Sequence, residues 1–237
     1  MIFKVRCILF LLFQLLFFGC SAQSHLIEHE IETVIVEKIK YYLYYPKDYE
    51  ADKNKKFGIL LFLHGSGDIP SEVGQSIPPP KLLTDGTEFP FLILVPQLLD
   101  AKKMWNTRSV MQLLDTVVEN NRIDSKKIYL SGVSRGAAAA WNLVVEYPNT
   151  FAALAVVCGM APTPYANWID KDLPIWVFHG EEDKSIPISE SKNMVNRLLQ
   201  MNYNVKFTWY KGAGHNIWDT VYTNSELYNW LNSQKKM

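Results

Sequence analysis

A serine, an aspartate and a histidine in this chain each follow a stretch of strand-forming residues. Ser134 is the centre of a G-x-S-x-G pattern at residues 132–136, and Asp183 and His215 come later in short polar or glycine-rich segments. A serine hydroxyl is a weak nucleophile that needs a neighbouring base, and an imidazole base needs a carboxylate to fix its tautomer. These three residue types, in this order, predict acyl transfer through a serine nucleophile.

The residues around Ser134 predict the local structure that such a serine needs. A β-prone run at 127–131 precedes it, and an alanine-rich helical segment at 137–147 follows it. A strand, a tight turn and a helix expose the hydroxyl and place the positive end of the helix beneath it. Gly132 and Gly136 remove the Cβ atoms that would collide with the neighbouring strand and helix.

The proposed acid and base lie at the ends of two later strands. Asp183 follows the apolar run 175–178, and His215 follows the strand-like segment 204–210. Ligand sites of parallel sheets form at the carboxyl ends of the strands. We therefore expect both residues to lie near Ser134, with His215 as the base and Asp183 as its partner.

Other carboxylates and histidines leave alternatives open. Glu181 and Glu182 adjoin Asp183 and offer a second choice for the carboxylate. His64 and His179 each precede a glycine at a strand end, where we expect them to stabilise their loops by hydrogen bonds. No H-E-x-x-H spacing occurs, and no metal site is predicted.

A tetrahedral intermediate needs two hydrogen-bond donors for its oxyanion. The backbone N–H of Arg135, directly after the nucleophile, is the first predicted donor. The second is the backbone N–H of Ser66, in the glycine-rich turn after the apolar run 60–63. Trp105 and Trp218 are candidates for lining the substrate cleft, although aromatic side chains are more often part of a core.

The pattern of elements predicts a doubly wound α/β sheet. Apolar runs are continuous rather than alternating, which is typical of parallel strands covered on both faces by helices. Strands are predicted at 33–38, 40–45, 58–63, 91–95, 127–131, 152–157, 175–178 and 204–210, the first two antiparallel. Helices are predicted at 109–119, 137–147, 189–201 and 225–231.

Two connections bear on access to the site. Residues 68–90 are rich in proline and turn-forming residues, so we predict mostly loop with a short helix near 81–83. The connection 159–174 is too short to hold a helical lid. The sequence therefore predicts a site without a lid domain, open to solvent on that side.

Composition excludes some classes of function. The apolar fraction of 48% and the charged fraction of 20% are those of a globular protein rather than a disordered one. The 24 basic and 24 acidic residues cancel and form no block of like charge, so nucleic-acid binding is not predicted.

The first residues are typical of an export signal. Lys4 and Arg6 precede an apolar run at 7–18 that is short for a membrane span and ends in small residues. We predict a signal peptide at 1–22 and a single domain at 23–237. The protein is then exported, to the periplasm, the outer membrane as a lipoprotein, or the medium.

The three cysteines raise separate questions. Cys20 follows a glycine and fits a relaxed lipoprotein box, in which it would become the lipidated first residue; cleavage after Ala22 would instead release a soluble protein. A lipid on Cys20 is the one membrane attachment predicted. Cys7 lies within the signal peptide. Cys158 is left without an intradomain partner and is predicted to be a small buried side chain.

The combined motifs resemble those of α/β-hydrolase serine esterases. The resemblance is to compact bacterial carboxylesterases and predicted peptidases of the phospholipase/carboxylesterase type, near feruloyl esterases and prolyl-oligopeptidase catalytic domains. It extends from about Tyr41 to Gln234. The matching segments are residues 63–67, 95–97 with Trp105, 128–136, 147–148 with 151–153, 179–183, 214–215 with 218–219, and 227–231.

The resemblance implies a carboxylesterase with no cofactor, acting on a small-molecule or polysaccharide-linked ester. A serine peptidase and a non-catalytic surface binding protein on the same scaffold are the alternatives. The chain departs from the family pattern at Arg135, where methionine or glutamine is usual. Since only the backbone amide of that residue is needed, the role of the Arg135 side chain is left open between substrate binding and an ion pair.

Overall fold

Seven strands form one sheet in the order β1-β3-β2-β4-β5-β6-β7. The computed structural model describes residues 37–66, 88–100 and 102–236, and all statements of structure concern these residues. The strands are β1 (Tyr41–Tyr44), β2 (Phe57–Leu63), β3 (Leu92–Pro96), β4 (Ile123–Val133), β5 (Ala153–Val157), β6 (Ile175–Gly180) and β7 (Val205–Tyr210).

The sheet is parallel except at one edge. β1 pairs antiparallel with β3, whereas every other neighbouring pair is parallel. β2 lies in the interior and all seven of its residues are buried. Its side chains alternate between two core clusters, with Leu61 in one and Leu60 in the other. This division confirms that the sheet is covered on both faces.

Five α-helices within the described ranges cover these two faces. They are α1 (Thr107–Glu119), α2 (Arg135–Glu146), α3 (Ile188–Gln200), α4 (Trp218–Tyr222) and α5 (Ser225–Ser233). The first three contribute to the core cluster around Leu61, and the last two to the cluster around Leu60. The predicted doubly wound α/β architecture is therefore confirmed. None of the helices in the described ranges has the length and apolar character needed to cross a bilayer.

Some predicted elements differ from those observed. β4 begins at Ile123, four residues before its predicted start, because Ile123 pairs with Phe57 of β2. A register shift separates this pair from the next one, Ile59 with Ile128. The short helix α4 and a 3₁₀ helix at Thr163–Asn167 were not predicted from the sequence. The connection 159–174, described throughout, holds this 3₁₀ helix and no helical lid.

Two further predictions fall partly or wholly outside the described residues. Glu37 and Lys38, at the end of the strand predicted at 33–38, lie outside any strand, and the rest of that segment is not described. The helix predicted near residues 81–83 also lies outside the described ranges.

Candidate active site

Ser134 occupies a strained turn between β4 and α2. β4 ends at Val133 and α2 begins at Arg135, so the serine is the only residue between strand and helix. Its backbone has φ 52° and ψ −115°, in a region that non-glycine residues rarely adopt. Such a backbone costs about 1–3 kcal/mol and persists where the surrounding structure enforces it.

Two close approaches explain why the turn carries glycines. A Cβ added to Gly132 would lie 2.3 Å from the carbonyl oxygen of Gly136. A Cβ added to Gly136 would lie 2.0 Å from the carbonyl oxygen of Leu63, at the end of β2. Backbone atoms at these distances leave no space for any side chain. The first turn of α2 is thus packed directly against β4 and β2.

Ser134, His215 and Asp183 form a continuous chain of hydrogen bonds. The Ser134 Oγ lies 3.0 Å from Nε2 of His215. The Nδ1 of His215 lies 2.7 Å from Oδ2 of Asp183. Because a carboxylate only accepts, Nδ1 carries the proton and Nε2 is left as the acceptor for the serine hydroxyl. The histidine is therefore in the tautomer of a general base.

The carboxylate of Asp183 is buried and held in its charged form. Burial raises its pKa, but hydrogen bonds from His215 and from the backbone N–H groups of Ile186 and Ser185 outweigh burial and lower it. The two backbone donors lie 2.9 Å and 2.8 Å from Oδ1. The exposed Glu181 binds the backbone N–H of Gly212 instead, so it is not the partner of the histidine.

Backbone contacts join the loops that carry the acid and the base. Glu181 N–H donates to the carbonyl of Tyr210 over 3.0 Å, and Glu182 N–H donates to that of Ala213 over 2.8 Å. A Cβ on Gly180 would lie 2.0 Å from the carbonyl oxygen of Gly214. The ends of β6 and β7 are therefore fixed against each other, which sets the distance between Asp183 and His215.

The turn after β2 lies beside the serine and is oriented by His64. A Cβ added to Gly65 would lie 3.3 Å from the Cβ of Ser134. The His64 Nδ1 lies 2.8 Å from the Gly65 carbonyl oxygen, and its Nε2 accepts the Leu98 N–H over 3.1 Å. In a planar trans peptide, the N–H of Ser66 points away from the Gly65 carbonyl. The imidazole therefore fixes the orientation of this peptide, and oxyanion binding by the Ser66 N–H stays a prediction.

The side chain of Arg135 and the two tryptophans occupy different surroundings. Arg135 Nη1 donates to the carbonyl of Lys103 over 2.9 Å. Trp105 is buried, and its indole N–H donates to the His64 carbonyl over 3.3 Å, so it packs behind the turn after β2. Trp218 is half-buried, with its ring 6.0 Å from that of His215. Substrate contacts by either tryptophan stay a prediction.

Cys158 is buried against the backbone of His215. It has φ 48°, and its thiol donates to the carbonyl oxygen of His215 over 3.1 Å. Burial raises the pKa of the thiol to about 12, so it stays protonated. Among the described residues, ligand atoms of Cys158, His179 and Asp183 lie close enough to suggest a metal site. Each of the three already makes hydrogen bonds within the protein, which account for the cluster.

More than half of the chain matches one known protein family. The family model for phospholipases and carboxylesterases matches residues 98–228, more than half of the 237 residues. The chain belongs to the phospholipase/carboxylesterase family. This esterase family has the α/β-hydrolase fold, as the sequence motifs implied.

Similar proteins of known sequence or structure are esterases or peptidases. A bifunctional acetylxylan esterase/xylanase, XynS20E of Neocallimastix patriciarum, is 29% identical over 132 residues, which cover 53% of this chain and 19% of that protein. The crystal structure of a thermostable esterase is 27% identical with a TM-score of 0.70, covering 83% of this chain and 59% of the other. This chain thus spans only part of the length of both relatives.

A peptidase shares the same fold at lower identity. The acylaminoacyl peptidase of Pyrococcus horikoshii is 14% identical with a TM-score of 0.61, covering 78% of this chain and 36% of the other. At that identity the likeness concerns the fold alone.

Sequence reasoning predicted the role of two histidines but missed one contact of His179. It predicted that His64 and His179 stabilise their loops, and their hydrogen bonds confirm this. It missed that Nε2 of His179 also lies 3.2 Å from Oδ2 of Asp183. The predicted lipidation site, Cys20, lies outside the described residues.

Proposed function

We propose that this chain is a serine carboxylesterase that works through an acyl-enzyme. The hydrogen-bonded chain from Ser134 through His215 to Asp183, with distances of 3.0 Å and 2.7 Å, carries the proposal. Family membership supports an ester as the substrate. A scaffold that had lost its activity would lack one of these three groups or their alignment.

The reaction then follows from the positions of these groups. The Ser134 Oγ attacks the ester carbonyl carbon while Nε2 of His215 takes the hydroxyl proton. The backbone N–H groups of Ser66 and Arg135 bind the oxyanion. Collapse of the intermediate expels the alcohol, which receives the proton from His215. A water molecule, deprotonated by His215, hydrolyses the acyl-enzyme and regenerates Ser134. Every step uses protein groups and water.

Covalent labelling tests this function directly. A fluorophosphonate probe should label the purified protein, and Ser134→Ala should abolish labelling while leaving the circular dichroism spectrum and thermal midpoint close to those of the parent. Equal labelling of both proteins would contradict the proposal. Cys158→Ala, which removes the buried thiol next to His215, should still be labelled.

The substrate class is proposed to be an ester carried by a carbohydrate or a small alcohol. The similarity to an acetylxylan esterase/xylanase supports the first of these. Release of acetate from acetylated xylan should be compared with hydrolysis of 4-nitrophenyl acetate, with Ser134→Ala as the blank. Activity on the nitrophenyl ester alone would favour a small-molecule ester.

A serine peptidase is the second candidate. The fold shared with acylaminoacyl peptidase favours it, and the same three residues could cleave an amide. Peptide 4-nitroanilides and 4-nitrophenyl esters with the same acyl group separate the two activities. Faster acylation by the anilides would identify a peptidase.

We also propose that the protein is exported, on the basis of residues 1–22. Expression with labelled palmitate distinguishes the two routes. Incorporation that is lost in Cys20→Ala indicates a lipoprotein, and release of unlabelled protein cut after Ala22 indicates ordinary secretion.

A further inference from the structure

The end of β5 is hydrogen-bonded to each of the segments that carry the proposed catalytic residues. The N–H of Ser134 donates to the carbonyl of Val157, the last residue of β5, over 2.9 Å. The N–H of the next residue, Cys158, donates to the carbonyl of Phe178 in β6, also over 2.9 Å. The Cys158 thiol donates to the carbonyl of His215 over 3.1 Å. Residues 157 and 158 therefore join the turn of the nucleophile, the strand before the carboxylate and the loop of the base.

The backbone of Cys158 turns its side chain toward the loop of the base. Successive side chains of a strand point to opposite faces, so Val156 lies in the core cluster around Leu61 and Val157 in the cluster around Leu60. By this alternation Cys158 would face the Leu61 cluster. It lies instead in the same cluster as Val157, together with residues of α4. Its φ of 48°, in the left-handed region, accounts for the change of side.

The surroundings of Cys158 enforce this unusual backbone. Its N–H is held by the carbonyl of Phe178, and the following residue, Gly159, lies directly against α2. A Cβ added to Gly159 would lie 2.6 Å from the Cβ of Ala137. Left-handed backbone in a non-glycine residue persists where the structure on both sides enforces it, and it occurs where a side chain is held in one functional position.

The carbonyl of His215 accepts two hydrogen bonds that differ in origin. The N–H of Ile217 lies 3.0 Å away and belongs to the same loop, so it moves with the carbonyl. The thiol of Cys158 is carried by β5, so it ties the peptide of the base to the sheet. Burial raises the pKa of this thiol to about 12, and at neutral pH it therefore keeps the proton that it donates.

We propose that Cys158 is a positioning residue for His215, whose backbone carbonyl it holds at a fixed place relative to the turn of Ser134. This inference rests on the proposed function of Ser134, His215 and Asp183. Because Val157 and Cys158 are adjacent in the chain, the serine turn and the base loop are referred to the same short piece of backbone. A shift of the base away from the serine hydroxyl would break the bond from the thiol.

Steady-state hydrolysis of 4-nitrophenyl acetate tests this role, because acylation and deacylation both use His215 as the base. Cys158→Ala removes the donor and should lower kcat by about tenfold, as expected for a base that is less well held, with KM within about twofold. A fluorophosphonate should still label this variant completely, at a rate lowered by a similar factor. Cys158→Ser keeps a donor beside the carbonyl and should recover kcat to within about threefold of the parent.

Ser131→Ala is the matched control. Ser131 is fully buried in β4, and its hydroxyl donates to the carbonyl of Ala155 in β5 over 3.0 Å. Like Cys158→Ala, this variant removes one buried atom and one donor to a backbone carbonyl, but that carbonyl does not belong to the base. Its kcat should stay within about twofold of the parent even where its thermal midpoint falls. Cys158→Gly also lacks the donor and adopts φ 48° without strain, so it serves if the alanine variant does not fold.

The outcomes separate this inference from the function on which it rests. No labelling of the parent protein at Ser134 would contradict the proposed function itself. Labelling of the parent, with kcat unchanged in Cys158→Ala or Cys158→Gly, would overturn the role of Cys158. A serine variant as slow as the alanine variant would overturn it too, since a donor would then make no difference. An equal loss of kcat in Ser131→Ala would have the same consequence, because the effect would come from core packing.

Discussion

The Nδ1 of His215 donates a hydrogen bond of 2.7 Å to Oδ2 of Asp183, whose side chain has no exposed surface. Bulk water therefore does not reach the carboxylate in this bond. The imidazole is left with one tautomer, in which Nε2 faces the Ser134 hydroxyl. The ability of His215 to accept a proton thus depends on a group that never touches the substrate.

Replacing Asp183 by asparagine should therefore reduce kcat by about 10⁴-fold, because the amide N–H would favour the tautomer that points a proton at Ser134. Steady-state hydrolysis of 4-nitrophenyl acetate measures this loss. Glu182→Gln is the matched control, since Glu182 is exposed and adjacent, and its kcat should stay within about threefold. A loss below tenfold in Asp183→Asn would argue that another carboxylate orients His215.

The same substitution should change how stability depends on pH. The pKa of Asp183 in the folded protein is lowered from 3.8. Its charged form therefore stabilises the fold at pH values above 3.8, and this contribution is lost as pH falls through the lowered folded-state value. At pH 7, Asp183→Asn should cost about 1–3 kcal/mol of unfolding free energy. Urea unfolding at pH 7, 5 and 3 should show the difference shrinking at the lowest pH; a constant difference would contradict it.

The turn that holds Ser134 should tolerate no side chain at Gly136. An added Cβ would lie 2.0 Å from the carbonyl oxygen of Leu63, so β2 and α2 would have to separate. We expect Gly136→Ala to cost about 3 kcal/mol in unfolding free energy and to lose activity. Gly214→Ala is the control, because the nearest atom to its new Cβ would be 3.9 Å away. Thermal melts of both variants give the comparison, and equal midpoints would contradict the packing argument.

Much of the site was predictable because its parts lie at strand ends. A continuous apolar run, a tight turn and a helix each leave a local pattern, so β4, Ser134 and α2 could be located from the sequence. The placement of Asp183 and His215 near Ser134 then followed from the carboxyl ends of parallel strands.

The features that the sequence did not reveal depend mainly on contacts between segments that are distant in sequence. The role of His64 becomes visible only once Leu98 and Trp105 are found against it. The short helix α4 has too few residues for a periodic pattern. The start of β4 is polar and pairs through a register shift, so apolar periodicity could not reveal it.

The side chain of Arg135 should matter little to catalysis, although its backbone N–H is proposed to bind the oxyanion. Nη1 already donates to the carbonyl of Lys103. We expect Arg135→Met to leave kcat/KM within about threefold for both 4-nitrophenyl acetate and the anionic 4-nitrophenyl succinate. A loss confined to the anionic ester would show instead that the guanidinium binds an acidic substrate group.

His64 should affect the rate of acylation without touching the substrate. Its Nδ1–H holds the Gly65 carbonyl, and thereby directs the N–H of Ser66. Loss of one oxyanion donor typically reduces kcat by about 10²–10³-fold, so His64→Ala, which only loosens that donor, should lose about 10- to 100-fold. KM should change little, because the oxyanion forms after the ester binds.

His64→Asn provides the matched comparison, since its amide N–H can replace Nδ1 but not Nε2. It should therefore retain more of kcat than His64→Ala, even though both lose the bond from Leu98 N–H. Pre-steady-state acylation rates, measured with thermal midpoints for all three proteins, separate the oxyanion effect from stability. Equal loss of kcat in both variants would mean that the contact with Leu98, and not the Gly65 carbonyl, controls the turn.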